Sequence, residues 1–185
     1  LRQLTATNII DAIATQPGIS QVTTGQGISK PVIRGLGYNR VMVMNNGISQ
    51  EGQQWGDEHG VEIDEYDIGS VEILKGPASL AFGSDALAGV INFLPPQTLP
   101  EGVIKGGILT NYQTNNGLFG NSVNMGGNKK GIIWDIRYSN KQAHAYQNKF
   151  DGYVFNSGFK ESNIAAILGI NRAWGYSHLN FSSFY

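Results

Sequence analysis

The stretch Gln50-Glu51-Gly52-Gln53-Gln54-Trp55-Gly56-Asp57-Glu58-His59-Gly60-Val61-Glu62-Ile63-Asp64-Glu65-Tyr66 gathers side chains able to do chemistry. It holds an indole at Trp55, an imidazole at His59 and five carboxylates from Asp57 to Glu65. Imidazole with nearby carboxylates suits zinc or another borderline metal, and histidine also ligates haem iron. His59 is therefore the candidate metal contact, with Trp55, Asp57 and Glu58 as candidate ligand contacts beside it. The competing reading is a solvated polar loop whose acids repel anions. Three histidines occur, His59, His144 and His178, and none stands in an HExxH or other ligand spacing. Covalent catalysis has less support. Gly83-Ser84-Asp85 and a distant histidine offer hydrolase parts, but no Gly-x-Ser-x-Gly elbow presents the serine. No enzyme is expected, and no resident cofactor is implied.

Composition narrows the classes further. A net charge of −1 over 185 residues argues against a nucleic-acid binder, which would carry a basic face. With no cysteine there is neither a disulfide framework nor a thiolate metal site. Twenty-five glycines favour turns and β structure over a helical bundle. No apolar run reaches the roughly 18 residues of a membrane-spanning helix. A transmembrane barrel passes that test unseen, because its strands alternate. Leu1-Arg2-Gln3-Leu4-Thr5 lacks the basic and apolar regions of a signal peptide, so a mature or trimmed fragment is expected.

The elements that would position these residues fall into two grammars. Up to about Leu94 the pattern mixes a short helix with buried strands. Thr7 or Asn8 is placed to cap a helix carrying Ile9, Ile10, Ala12 and Ile13, and Pro17-Gly18 ends it. Pro31 to Gly35 reads as a strand, and Val41 to Met44 as an apolar strand closed by an Asn46-Gly47 type I′ turn. Val71 to Leu74 runs into Gly76-Pro77, small residues follow to Ala88, and Gly89 opens Val90 to Phe93. Pro95-Pro96 and Pro100 mark a boundary. Beyond it the period becomes two. Ile132, Trp134, Ile136 and Tyr138 oppose Ile133, Asp135, Arg137 and Ser139. Phe119, Val123 and Met125 oppose Gly120, Ser122 and Asn124. Strands are expected at about 102–113, 118–127, 131–141, 161–171 and 175–185. Alternation alone leaves open a soluble antiparallel sheet with one face on a core.

Three motifs in order decide between these. Ile33-Arg34-Gly35, then Arg40-Val41-Met42-Val43-Met44-Asn45-Asn46-Gly47, then the run from Val71 to Phe93 resemble the plug of a TonB-dependent outer-membrane receptor. The resemblance implies an α+β plug domain over 1–98 followed, over 99–185, by antiparallel strands of a transmembrane β-barrel. Such a barrel needs about 22 strands, so five are expected to be only its beginning; an open edge in lipid is costly.

The resemblance also implies a job and its partners. A receptor of the bacterial outer membrane imports a scarce ligand, with energy drawn from the TonB complex in the periplasm and its barrel solvated by outer-membrane lipid. The expected cargo is an iron complex (siderophore or haem) or another metal chelate, with cobalamin, oligosaccharide and non-transporting surface binding as alternatives. Arg34, Arg40 and Glu72 match plug positions that pair with the barrel wall. Trp55 to His59 fall in an apical loop facing the external vestibule. His144 and Tyr146 fall in the long connection from Gln142 to Phe159, on the outer side, as further ligand contacts. His178 is expected on the lumen face.

Overall fold

The structure, a computed structural model, describes residues 6–150 and 152–185. The signal-peptide reading of residues 1–5 lies outside the described residues. The chain divides into two compact units, Leu1–Pro96 and Gln97–Tyr185.

In the first unit Asn8 rather than Thr7 caps helix α1 (Ile9–Ile13), its side-chain oxygen accepting from the amides of Ile10 and Asp11. Ile9, Ile10, Ala12 and Ile13 are all buried, so packing rather than length holds this single turn and a half. Strands β1 (Ile19–Gly25), β2 (Ile28–Ile33) and β3 (Leu36–Gly37) form one antiparallel sheet. Strand β2 stops at Ile33, and Arg34 (φ 50°) and Gly35 (φ 82°) form the two-residue turn to β3. The expected strand through Gly35 is thereby corrected: two left-handed residues twist as a hairpin turn requires.

A second sheet carries the core. Strands β4 (Val41–Asn45), β5 (Ile48–Gln50), β6 (Ser70–Lys75) and β7 (Gly89–Leu94) lie in the order β5-β4-β7-β6. The central pair β4 and β7 run parallel, with Val41 opposite Gly89 and Val43 opposite Ile91. Strands flanked on both sides read as near-continuous apolar runs, as both do here. Asn46 (φ 51°) and Gly47 (φ 81°) make the β4–β5 turn. Val43, Ile91 and Phe93 are fully buried and pack with α1, Ile33, Val61, Ile63 and Ile68. Each such side chain contributes about 1.5–3 kcal/mol of transfer free energy.

The second unit is an antiparallel meander. Strands β8 (Ile104–Gln113), β9 (Leu118–Lys129) and β10 (Ile132–Ala143) pair in sequence. A small hairpin, β11 (Gln147–Asn148) with β12 (Gly152–Tyr153), rises in the connection to β13 (Phe159–Arg172), and β14 (Gly175–Phe184) closes the order β8-β9-β10-β13-β14. The sheet is open, with β8 and β14 at its edges. Its faces invert those of a soluble sheet. Ile108, Val123, Met125, Ile136, Ile164 and Leu168 are exposed, whereas Ser122, Arg137, Ser139, Lys141, Glu161 and Asn163 are buried. On the polar face Lys141 Nζ meets Glu161 Oε2 at 3.1 Å, and Asn163 donates to Glu161 Oε1 at 2.6 Å. Apolar outside and polar inside is the pattern lipid demands.

Candidate functional site

Residues 51–60 leave β5 as an outward loop on the first unit, and three anchors hold it. A one-turn 3₁₀ segment, Gly52–Gln54, buries Gln53 and turns Trp55 outward, where it is 66% exposed. From β2 the ammonium of Lys30 donates to the carbonyls of Trp55 (3.0 Å) and Gly56. From β1 Thr24 Oγ1 donates to the carbonyl of Asp57 at 2.6 Å. Tyr38, in the turn Tyr38–Arg40, donates its hydroxyl to Asp57 Oδ1 at 2.8 Å. That hydrogen bond to the carboxylate holds the Tyr38 phenol above its usual pKa. The loop ends where the Val61 amide bonds the Ser29 carbonyl at 3.2 Å.

Between the anchors, the candidate side chains face solvent. Asp57, Glu58 and His59 are exposed, and His59 Nε2 lies 3.8 Å from Glu58 Oε1. The Glu58 carboxylate folds back over Gly56, where a β-carbon would come within 2.4 Å of its oxygen. The loop is shorter than the run of acids suggested. Val61, Ile63 and Ile68 enter the core, and Asp64 caps the turn Glu65–Asp67 by accepting from the Tyr66 amide at 3.0 Å. The outward chemistry is thus Trp55 to His59, an indole followed by a carboxylate–imidazole pair.

The other sequence candidates sit elsewhere. Arg34 lies at the tip of the β2–β3 turn, Arg40 at the end of the turn before β4 and Glu72 in edge strand β6; all three are exposed. Turns rather than strands carry both arginines. Among the described residues no ion pair joins any of the three. His144 and Tyr146 belong to the second unit, just past β10. The His144 amide bonds the Asn116 carbonyl at 2.8 Å and its ring lies against Gly117, while the Tyr146 amide bonds Ser157 Oγ at 3.1 Å. His178, in edge strand β14, meets Tyr176 edge-on at 5.9 Å between ring centres. Sequence reasoning missed Lys30, Tyr38 and Thr24, which build the loop's mount. The one available signal was a lysine inside the apolar run Ile28-Ser29-Lys30-Pro31-Val32-Ile33.

A small α+β unit with an anchored outward loop, followed by an inside-out antiparallel meander, has the two parts expected of a receptor's plug domain and its first barrel strands. Residues 1–90 match the TonB-dependent Receptor Plug Domain family. The first unit is therefore a plug domain of the kind found in TonB-dependent receptors, which are receptors and transporters of the outer membrane. It is 26% identical over 170 residues to the Vitamin B12 transporter BtuB of Photobacterium profundum, covering 89% of this chain and 27% of that protein. It is 34% identical over 90 residues to the Hemin receptor of Yersinia enterocolitica, covering 48% of this chain and 13% of that one. Among solved structures, the copper transporter OprC superposes with a TM-score of 0.81 at 19% identity, over 98% of this chain and 28% of that chain. That likeness concerns the fold. The chain therefore spans about a quarter of these longer relatives, 27% of the B12 transporter and 28% of OprC.

Proposed function

We propose that the receptor containing this chain imports a metal complex across the outer membrane, an iron complex (siderophore or haem) foremost, with energy from the TonB complex in the periplasm. The observation that supports this most is the loop from Trp55 to His59: an exposed indole and a carboxylate–imidazole pair on a mounted backbone. Two donors are fewer than the four of a structural zinc site. They suit a metal that arrives with most of its coordination already filled, as in haem, with the indole stacking on the chelator. His144 and Tyr146 add contacts from the barrel's outer loop. No covalent step is involved.

Arg34, Arg40 and Glu72 act in this reading as the plug's pairing charges toward barrel strands. A guanidinium leaving water has to find an acceptor because it does not deprotonate. Breaking a buried pair costs about 3–5 kcal/mol, enough to seat a plug and still release it under mechanical pull. Outer-membrane lipid covers the apolar face of the strands. Haem, for which the Yersinia relative is named, supports a metal complex. Cobalamin is the second reading, favoured by the alignment to the B12 transporter, which covers 89% of the chain.

Calorimetry on the purified full-length receptor tests the proposal, with hemin, a ferric siderophore, zinc and cyanocobalamin as titrants. One metal complex is expected to bind, and His59→Ala to weaken it about tenfold, the loss of roughly 1.4 kcal/mol. Silence from hemin, the ferric siderophore and zinc rejects the reading. Binding of cyanocobalamin alone transfers it to the second.

A further inference from the structure

We infer that Lys30, acting with Tyr38 and Asp57, is a positioning residue that presets the cargo loop; the inference rests on the import reading of that loop. Lys30 sits in β2 opposite Val22 and is 2% exposed. A charge removed this far from water needs its donors used. It uses them on the loop: the carbonyl of Trp55 at 3.0 Å, the carbonyl of Gly56, and the face of the Tyr38 ring with its centroid 4.6 Å away. Cation and ring attract through the ring quadrupole. The same ring carries the hydroxyl that binds Asp57 Oδ1 at 2.8 Å, while Thr24 holds the Asp57 carbonyl at 2.6 Å.

Three consecutive residues of the loop are thereby fixed by their backbone or first side-chain atoms, and the fourth and fifth, Glu58 and His59, project from a held base. The consequence is for binding more than for folding. A loop already ordered spends less of the ligand's interaction energy on ordering itself. Lys30 touches no cargo in this scheme. Its effect passes through the peptide units of Trp55 and Gly56, and a plain core lysine would leave cargo affinity alone.

The test uses the full-length receptor in detergent and in cells, with Lys30→Met, which keeps the side chain's length and bulk, and Tyr38→Phe, which removes one hydroxyl. Amide hydrogen exchange is followed over residues 51–61, with β4 and β7 as internal controls, and affinity and uptake are measured for hemin, a ferric siderophore and cyanocobalamin. Lys30→Met is expected to speed exchange at 51–61 and to weaken the bound probe about tenfold, leaving β4, β7 and the maximal uptake rate unchanged. Tyr38→Phe is expected to move both in the same direction by less. Unchanged exchange at 51–61 in both variants overturns the positioning role alone. So does a loosened loop with unaltered affinity. Exchange raised throughout the plug by Lys30→Met, with Tyr38→Phe silent, overturns it in favour of a core role. A wild-type receptor that binds none of the three probes sinks the cargo reading first, and this inference with it.

Discussion

Tyr38 donates a hydrogen bond to the Asp57 carboxylate, and the direction of its pKa shift sets where the loop should resist alkali. The hydrogen bond raises the folded-state pKa above the ordinary value of about 10. A raised pKa stabilises the fold fully below the unfolded value and loses that contribution as pH rises through the folded one. Cargo affinity should therefore show no Tyr38-dependent change across neutral pH and should fall above about pH 10. In Tyr38→Phe that alkaline fall should vanish, whereas a fall kept by the variant would assign it to another group. The burial of Lys30 explains why the mount escaped sequence reasoning. A lysine between Ser29 and Pro31 reads as surface, since lysine is rarely buried, and only the folded partners reveal what it holds. Trp55 and His59 were legible because their chemistry is uncommon in so polar a run.

At the scale of elements, β4 and β7 depend on Gly89. Its φ of 156° is one that side chains rarely adopt, and a β-carbon there would lie 2.6 Å from the Leu74 carbonyl and 2.8 Å from Ile33 Cδ1. Gly89→Ala should destabilise the plug by about 2–3 kcal/mol, through overpacking and backbone strain together. A proteolysis or denaturation midpoint unchanged from wild type would show that the β6–β7 pair absorbs the methyl. Glu101 makes a second structural contact worth testing. Its carboxylate accepts from the amides of Lys130 and Gly131, the latter at 3.1 Å, so the segment before β8 is tied to the β9–β10 turn. Glu101→Gln should lose about 0.5–1.5 kcal/mol there, visible as faster amide exchange at Lys130 and Gly131. The Asn46-Gly47 hairpin and the five long strands could be read from sequence because turn chemistry and period-two alternation are local signals. Strand β1 could not. Ser20, Gln21, Thr23 and Thr24 give it a polar surface, only Ile19 is buried, and its pairing with β2 is a tertiary fact. The acids from Glu62 to Glu65 looked like one loop for the opposite reason: the charges hid Val61 and Ile63, which the core claims.

For the whole molecule, the inverted faces of the meander determine its solvent. Ile136 stands opposite Met125 near the middle of β9 and β10, and both are exposed. In the full receptor folded into a bilayer, Ile136→Arg should cost about 2–4 kcal/mol, as a charge on the lipid face near the midplane does. A neutral outcome in a bilayer-based unfolding titration would place that face against something other than lipid. The sequence shows the alternation but not which side meets water, because a soluble sheet alternates too; the plug motifs in front broke the tie.

Uptake in cells examines the import claim most directly. Cells carrying the full receptor, with and without functional TonB, would be supplied with labelled hemin, a labelled ferric siderophore or labelled cyanocobalamin, alongside the His59→Ala variant. Hemin or the ferric siderophore is expected to accumulate only when TonB works, with His59→Ala raising the concentration needed for half-maximal uptake about tenfold, whereas cyanocobalamin alone would move the cargo to the second reading. Accumulation indifferent to TonB, or none with any of the three, would contradict the import claim.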